Sequence, residues 1–167
     1  MYAVITGASS GIGEQLAKRL AKEGYDLILV ARRRERLTAL SDKLKATHKG
    51  LGCDIFTADL MQLDECQRLS DYLEEKDVEI FINNAGYGDC GLFEETDIAK
   101  EMGMIDVNVR AVHFLTKKLL RQMRVKDRGF ILNVASSAGL IPAGPYMAAY
   151  YASKAYVASL SRAVACG

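Results

Sequence analysis

The 167 residues are half hydrophobic and about a quarter charged, with a formal net charge of +1. That is enough chain for one domain with a proper core, residues 1–167, and too balanced in charge to favour nucleic acid or an anionic membrane surface. The longest apolar runs are far too short to span a bilayer. The chain enters a strand-like segment at once, leaving no room for a signal peptide. Cys53, Cys66, Cys90 and Cys166 lack metal-type spacing, and His48 and His113 lie far apart. Reduced thiols, no metal site and a cytoplasmic protein are therefore expected.

Short apolar runs alternate with helical periods along the chain. Ala3, Val4 and Ile5 form a first strand, followed by a helix carrying Ile12, Leu16 and Leu20. A second strand at 27–30 precedes Leu37, Leu40 and Leu44 at helical spacing. A third strand, Cys53–Thr57, leads to a helix striped by Leu63, Cys66, Leu69 and Leu73, and a fourth spans 78–82. A long helical region then carries Ile105, Val109, Val112, Leu119 and Met123. A fifth strand covers 130–134, and a last helix begins near Pro145 or Ala148. Apolar strands alternating with helices predict an α/β, three-layer, doubly wound Rossmann fold on a parallel sheet, in strand order 3-2-1-4-5.

The first strand runs into Thr6-Gly7-Ala8-Ser9-Ser10-Gly11-Ile12-Gly13. Glycines there allow a sharp turn, close approach to a pyrophosphate and close helix–strand packing, while the helix start offers free amides to an anion. The spacing G-x3-G-x-G differs from the usual dinucleotide pattern, and a plain strand–helix turn is the competing interpretation. Position after the first strand favours phosphate. The second strand ends Val30-Ala31-Arg32-Arg33-Arg34, with no acid before Glu35 to hold a ribose 2′-hydroxyl. Arginines at this point suit a 2′-phosphate, so Arg32 and Arg33 are expected to select NADP(H) over NAD(H), with Arg34 facing water. Cations oppose the dipole at a helix start, which argues against a merely solvating role.

Ser137, Tyr150 and Lys154 place a hydroxyl, a phenol and an ammonium where they can converge on one carbonyl. The pair four residues apart shares a helix face. Free tyrosine ionises near pH 10, so a phenolate working near neutrality needs roughly 4 kcal/mol of help. One cation at ~4 Å supplies about that in an effective dielectric of 20. Tyr151 and Ser136 are neighbours that compete for these roles.

Together, Thr6-Gly7-x3-Gly11-x-Gly13, Asn83-Asn84-Ala85-Gly86, Asn108, and Ser137 with Tyr150 and Lys154 resemble the short-chain dehydrogenase/reductase family over essentially the whole chain. The resemblance selects Tyr150 and Ser137 over their neighbours. It implies that Tyr150 exchanges a proton with the substrate oxygen and that Lys154 holds the nicotinamide ribose while favouring the phenolate. Ser137 would donate to the carbonyl or alkoxide, and Asn108 would place a water that relays protons to Lys154. The cofactor contacts it implies are Gly7, Ser9, Ser10, Gly11, Ile12, Gly13, Arg32, Arg33, Asp59, Leu60, Asn83, Ala85, Gly86, Tyr150 and Lys154. Asp59 would meet the adenine amino group, and residues 83–86 would line the cofactor and brace the sheet.

Leu92-Phe93 and the apolar stretch from Gly139 to Met147 suit a small, apolar carbonyl or alcohol substrate. The small face Ala152, Ala155 and Ser159 permits close packing in a homodimer or homotetramer. Family members continue beyond the tyrosine helix with further strands and a substrate-covering segment. The C-terminal strands of the family are therefore expected to be missing, with strand five an apolar edge. A truncated, non-catalytic NADP(H)-binding protein and a purely structural domain remain the alternatives to an oxidoreductase.

Overall fold

The computed structural model describes residues 1–141 and 143–166. Five parallel strands form one sheet in the order β3-β2-β1-β4-β5: β1 Tyr2–Thr6, β2 Asp26–Ala31, β3 Cys53–Thr57, β4 Val78–Asn83 and β5 Phe130–Asn133. The expected doubly wound order is therefore observed. Ala3 lies opposite Leu27 on one side and Ile80 on the other, which sets the central register.

Alternation along β1 feeds two cores. Ala3 and Ile5 face one layer with Leu27, Leu29, Leu37, Leu40 and Leu44, whereas Val4 faces the other with Ile28, Val30, Leu69, Phe81, Leu115 and Leu119. Helices α1 (Gly11–Lys22) and α2 (Arg34–Thr47) cover the first face. Helices α3 (Leu63–Glu74) and α5 (Val112–Val125) cover the second. With strands buried on both faces, near-continuous apolar runs are what the sheet requires.

Two helical faces differ from the sequence expectation. In α1 the buried positions are Gly13, Ala17 and Ala21, while Ile12 is exposed and Leu16 and Leu20 are only partly covered. A Cβ on Gly13 would collide with the carbonyl of Gly7, so the small face is what brings this helix close to the sheet. The long region before β5 is α4 (Ile98–Ile105), a π-helical stretch Asp106–Ala111, and then α5. A π turn carries more residues than an α turn and rotates the buried face. Ile105 consequently points to solvent, while Val107, Asn108, Ala111 and Val112 are buried.

Strand β5 ends at Asn133 rather than Val134, although the Val134 amide still donates to Asn83 O at 2.9 Å. It is the sheet's edge strand, and Phe130 and Leu132 are exposed on it. The last helix, α6, runs Ala148–Ala165.

Candidate active site

The C-terminal ends of β1, β2, β3 and β4 surround a cleft of about 470 Å³, which α6 borders with Tyr150 and Lys154. This is the crevice where open parallel sheets bind ligands. Its floor is the turn after β1. Gly7 and Gly11 adopt φ of +67° and +56°, the left-handed region in which a side chain is strained. A Cβ on Gly7 would lie 2.8 Å from Ala85 Cα, whereas Gly11 faces open space. Ser10 occupies the position before α1 without any side-chain capping bond, so the first amides of α1 keep their donors for another acceptor. An uncapped helix start behind a glycine turn fits a pyrophosphate.

Thr6 and Asn84 hold this floor to the opposite wall. The buried Thr6 hydroxyl accepts from Asn84 N at 2.9 Å and Ala85 N at 3.0 Å, and donates to Ile82 O at 3.2 Å. Asn84 Nδ2 donates back to Thr6 O at 2.9 Å. The sequence resemblance places Asn84 among the residues that line the cofactor and brace the sheet, but gives Thr6 no role. Their signal was the position of Thr6 as the last strand residue before the glycine turn, and the doubled asparagine.

That doublet divides across the sheet. Asn84 lines the cleft, but Asn83, expected among the cofactor contacts, turns away from it. Its Nδ2 donates to Asn133 Oδ1 at 2.8 Å and to Thr116 Oγ1 at 3.1 Å, on the side of β5 and α5. Successive residues at a strand end face opposite ways, so adjacent asparagines cannot both face the cleft. Gly13 likewise lies behind the cleft wall, where it allows α1 to approach.

Ser9, Ser10, Gly11, Ile12, Arg32, Arg33, Asp59, Leu60, Ala85 and Gly86 all line the cleft. Arg33 Nη2 donates to Ser9 Oγ at 3.3 Å, joining the basic rim to the glycine turn, and Arg34 is exposed at the start of α2. Asp59 uses one carboxylate oxygen to accept from Met61 N at 3.1 Å, leaving the other without a bond to this backbone.

At the other end, Lys154 is 7% exposed and donates from Nζ to Val134 O at 2.9 Å. Its Nζ stands 5.9 Å from the centroid of the Tyr150 ring. Burial pulls the ammonium below the ordinary lysine value. Tyr150 borders the cleft, and a Cβ on Gly88 would be 3.1 Å from its ring. Tyr151 instead directs its hydroxyl toward Gly144, whose Cβ would be 3.2 Å away.

Asn108 is fully buried in the π-helical stretch. Its Oδ1 accepts from Tyr87 N at 3.1 Å, and its Nδ2 donates to Tyr87 O at 2.9 Å and Ser153 Oγ at 3.1 Å. The side chain therefore clamps one residue of the β4 loop to α6. Ser137 begins a short 3₁₀ turn and is exposed, outside the cleft lining. Ser136 spends its hydroxyl accepting from Ala138 N at 3.2 Å. Of the apolar loop before α6, Leu140, Ile141 and Tyr146 are exposed, whereas Pro142 lies outside the described residues. Among the described residues no group of three metal-ligating side chains occurs, and no helix is long and apolar enough to cross a membrane.

The family model for short chain dehydrogenases matches residues 1–167. A very-long-chain 3-oxoacyl-CoA reductase-like protein of Arabidopsis thaliana is 34% identical over 98% of this chain and 53% of its own length. A bulky-bulky ketone specific alcohol dehydrogenase from Comamonas testosteroni superposes with a TM-score of 0.92 at 34% identity, over 98% of this chain and 65% of its own. A short-chain dehydrogenase from Sphingobium yanoikuyae, solved in complex with NADPH, gives the same TM-score and identity over 98% and 63%. The chain spans about half the length of the curated relatives it matches most strongly. With its whole length matched and its fold shared, the chain belongs to the short-chain dehydrogenase/reductase family.

Proposed function

We propose that residues 1–167 act as one NADP(H)-binding and catalytic unit that interconverts an apolar ketone and its secondary alcohol. The observation that carries this reading is convergence. Helix α6 delivers Tyr150 and Lys154 to the same cleft onto which the uncapped start of α1 and the Arg32–Arg33 rim open. In this reading Gly7, Ser9, Ser10, Gly11 and Ile12 hold the pyrophosphate, with Gly13 supporting them from behind. Arg32 and Arg33 hold the 2′-phosphate, Asp59 and Leu60 the adenine, and Ala85, Gly86 and Lys154 the nicotinamide riboside. The bound nicotinamide supplies or accepts the hydride.

The chain's own residues handle the proton and the charge. Tyr150 exchanges a proton with the substrate oxygen, and Lys154 favours the phenolate from its buried position. Ser137 donates to the developing alkoxide. Asn108 orders a water that relays protons to Lys154. Leu92, Phe93, Leu140 and Tyr146, all exposed, supply the apolar surface for the substrate. The similarity to 3-oxoacyl-CoA reductases and to a bulky-bulky ketone specific alcohol dehydrogenase supports a carbonyl substrate of this kind. The reading includes a cytoplasmic setting and a homodimer or homotetramer, for which the exposed face Ala152, Ala155 and Ser159 gives a close-packing surface.

The test combines NADPH titration with NADPH oxidation across bulky ketones and 3-oxoacyl thioesters. Turnover that vanishes in Tyr150→Phe with NADPH affinity retained, and persists in Tyr151→Phe, is the expected result. Binding without turnover on any substrate would identify the non-catalytic NADP(H)-binding alternative. No binding at all would leave a structural domain.

A further inference from the structure

Arg32, on the exposed rim, has one side-chain hydrogen-bond partner among the described residues: its Nη1 lies 3.9 Å from the thioether sulfur of Met61. Sulfur is a weak acceptor, so this contact fixes a direction more than it contributes energy. Met61 itself is firmly held. Its carbonyl accepts from Arg110 Nη2 at 2.8 Å, its amide donates to Asp59 Oδ1 at 3.1 Å, and Arg110 is also paired with Asp106 at 3.2 Å. The Met61 side chain then runs over Gly103 of α4. A Cβ there would overlap Met61 Cε and come within 3.0 Å of the Tyr87 hydroxyl. That hydroxyl is tied to Lys100 O at 2.8 Å and has little freedom to retreat. Gly103 is buried in the interior of a helix with an ordinary helical backbone, so conformation does not require glycine there. Space for Met61 does.

We propose that Met61, seated on Gly103, is a positioning residue that aims Arg32 at the 2′-phosphate and so sets the preference for NADPH over NADH. This rests on the NADP(H) reading above. A guanidinium on a solvent-exposed rim samples many rotamers, and its charge-assisted bond to a phosphate has value only in proportion to how often it is aimed. A correctly aimed bond of that class corresponds to about 10- to 100-fold in affinity. Displacing its support forfeits part of that, about three- to ten-fold.

Gly103→Ala is a suitable probe, because the group displaced furthest is the far end of the flexible Met61 side chain, the Tyr87 hydroxyl needs to give by only a few tenths of an ångström, and alanine is the better helix former. Affinities of the full chain for NADPH and NADH are measured by fluorescence titration, with thermal unfolding alongside. Gly103→Ala and Met61→Ala are each expected to weaken NADPH by about three- to ten-fold while leaving NADH unchanged, with no fall in Tm for Gly103→Ala. In an Arg32→Ala background neither substitution changes NADPH affinity further. Equal losses for both cofactors, or losses that persist without Arg32, overturn the positioning role. If Arg32→Ala alone leaves the NADPH-to-NADH ratio unchanged, the 2′-phosphate reading has failed instead.

Discussion

Replacing Thr6 by valine tests whether the cleft is held together by one hydroxyl. Valine keeps the shape and the β preference of threonine but removes the atom that accepts from both Asn84 N and Ala85 N. Asn84 and Ala85 are half-buried at the cleft, and Thr6 itself is 1% exposed, so no side chain of this strand replaces the acceptor. A buried amide left unpaired costs about 1–3 kcal/mol. For two neighbouring amides, the one nearer the cleft gaining some water, about 3 kcal/mol is a fair sum. Thr6→Ser keeps the acceptor and loses only a methyl group, worth about 1 kcal/mol. The expected stability order is therefore wild type, then serine, then valine. For a chain of this length, each kcal/mol shifts Tm by about 2–4 °C. Urea unfolding gives the energies, and NADPH titration reports the cleft, which should weaken in valine more than in serine. A valine variant as stable as the serine variant would mean that packing of the methyl, not the hydroxyl, holds the turn to the β4 loop.

Gly13→Ala is expected to cost about 2 kcal/mol or more, because the new methyl meets the Gly7 backbone rather than a movable side-chain tip; urea denaturation showing less than about 0.5 kcal/mol would remove the close-approach argument. Cys90 and Cys166 are exposed while Cys53 and Cys66 are buried, so a thiol reagent at mildly alkaline pH should react rapidly with two thiols in the native chain and four after denaturation. Burial pushes the Cys66 thiol up to about 11, above its ordinary 9.0. The unfolded chain therefore loses that proton first, and the stabilisation is complete below pH 9 and lost as pH rises from 9 toward 11. Cys66→Ala should flatten the fall in urea midpoint over that window; an unchanged slope would assign the fall to other groups.

The fold was legible because its signal repeats. Apolar strands between helical periods, joined by right-handed crossovers, leave few arrangements, of which the doubly wound sheet is one, and the family resemblance goes with the order 3-2-1-4-5. Residue identities in the cleft were legible through the family resemblance: the glycine turn and the Tyr–Lys pair are weak signals singly and specific only in that order along the chain. What escaped was direction. Periodicity placed Ile12, Leu16 and Leu20 on the buried face of α1. Close approach to the sheet is a property of Gly13, Ala17 and Ala21, and small residues carry little hydrophobic signal. The π-helical stretch moved Ile105 outward, because an inserted residue in a helical turn leaves no compositional mark. Met61 and Thr6 went unassigned because a thioether against a guanidinium and a hydroxyl across two strand ends are contacts at long sequence separation.

The most instructive of these is Asn83, which turns its back on the cleft yet acts on it. Lys154 is a buried cation that donates to Val134 O, just beyond strand β5. Among the described residues β5 pairs with β4, and that pairing helps to place the carbonyl. Asn83 supplies the fastening twice, through its own carbonyl to Val134 N at 2.9 Å and through its side chain to Asn133 Oδ1 at 2.8 Å. Asn133 in turn donates to Ser161 Oγ at 3.0 Å, on the same helix that carries Lys154. The cation and the carbonyl that accepts its proton are thus both referred to one asparagine. Burial already disfavours the charged amine. If the carbonyl drifted, the ammonium would be left buried and unpaired, the costliest arrangement available to it. A side chain can therefore govern a site from the opposite face of the sheet.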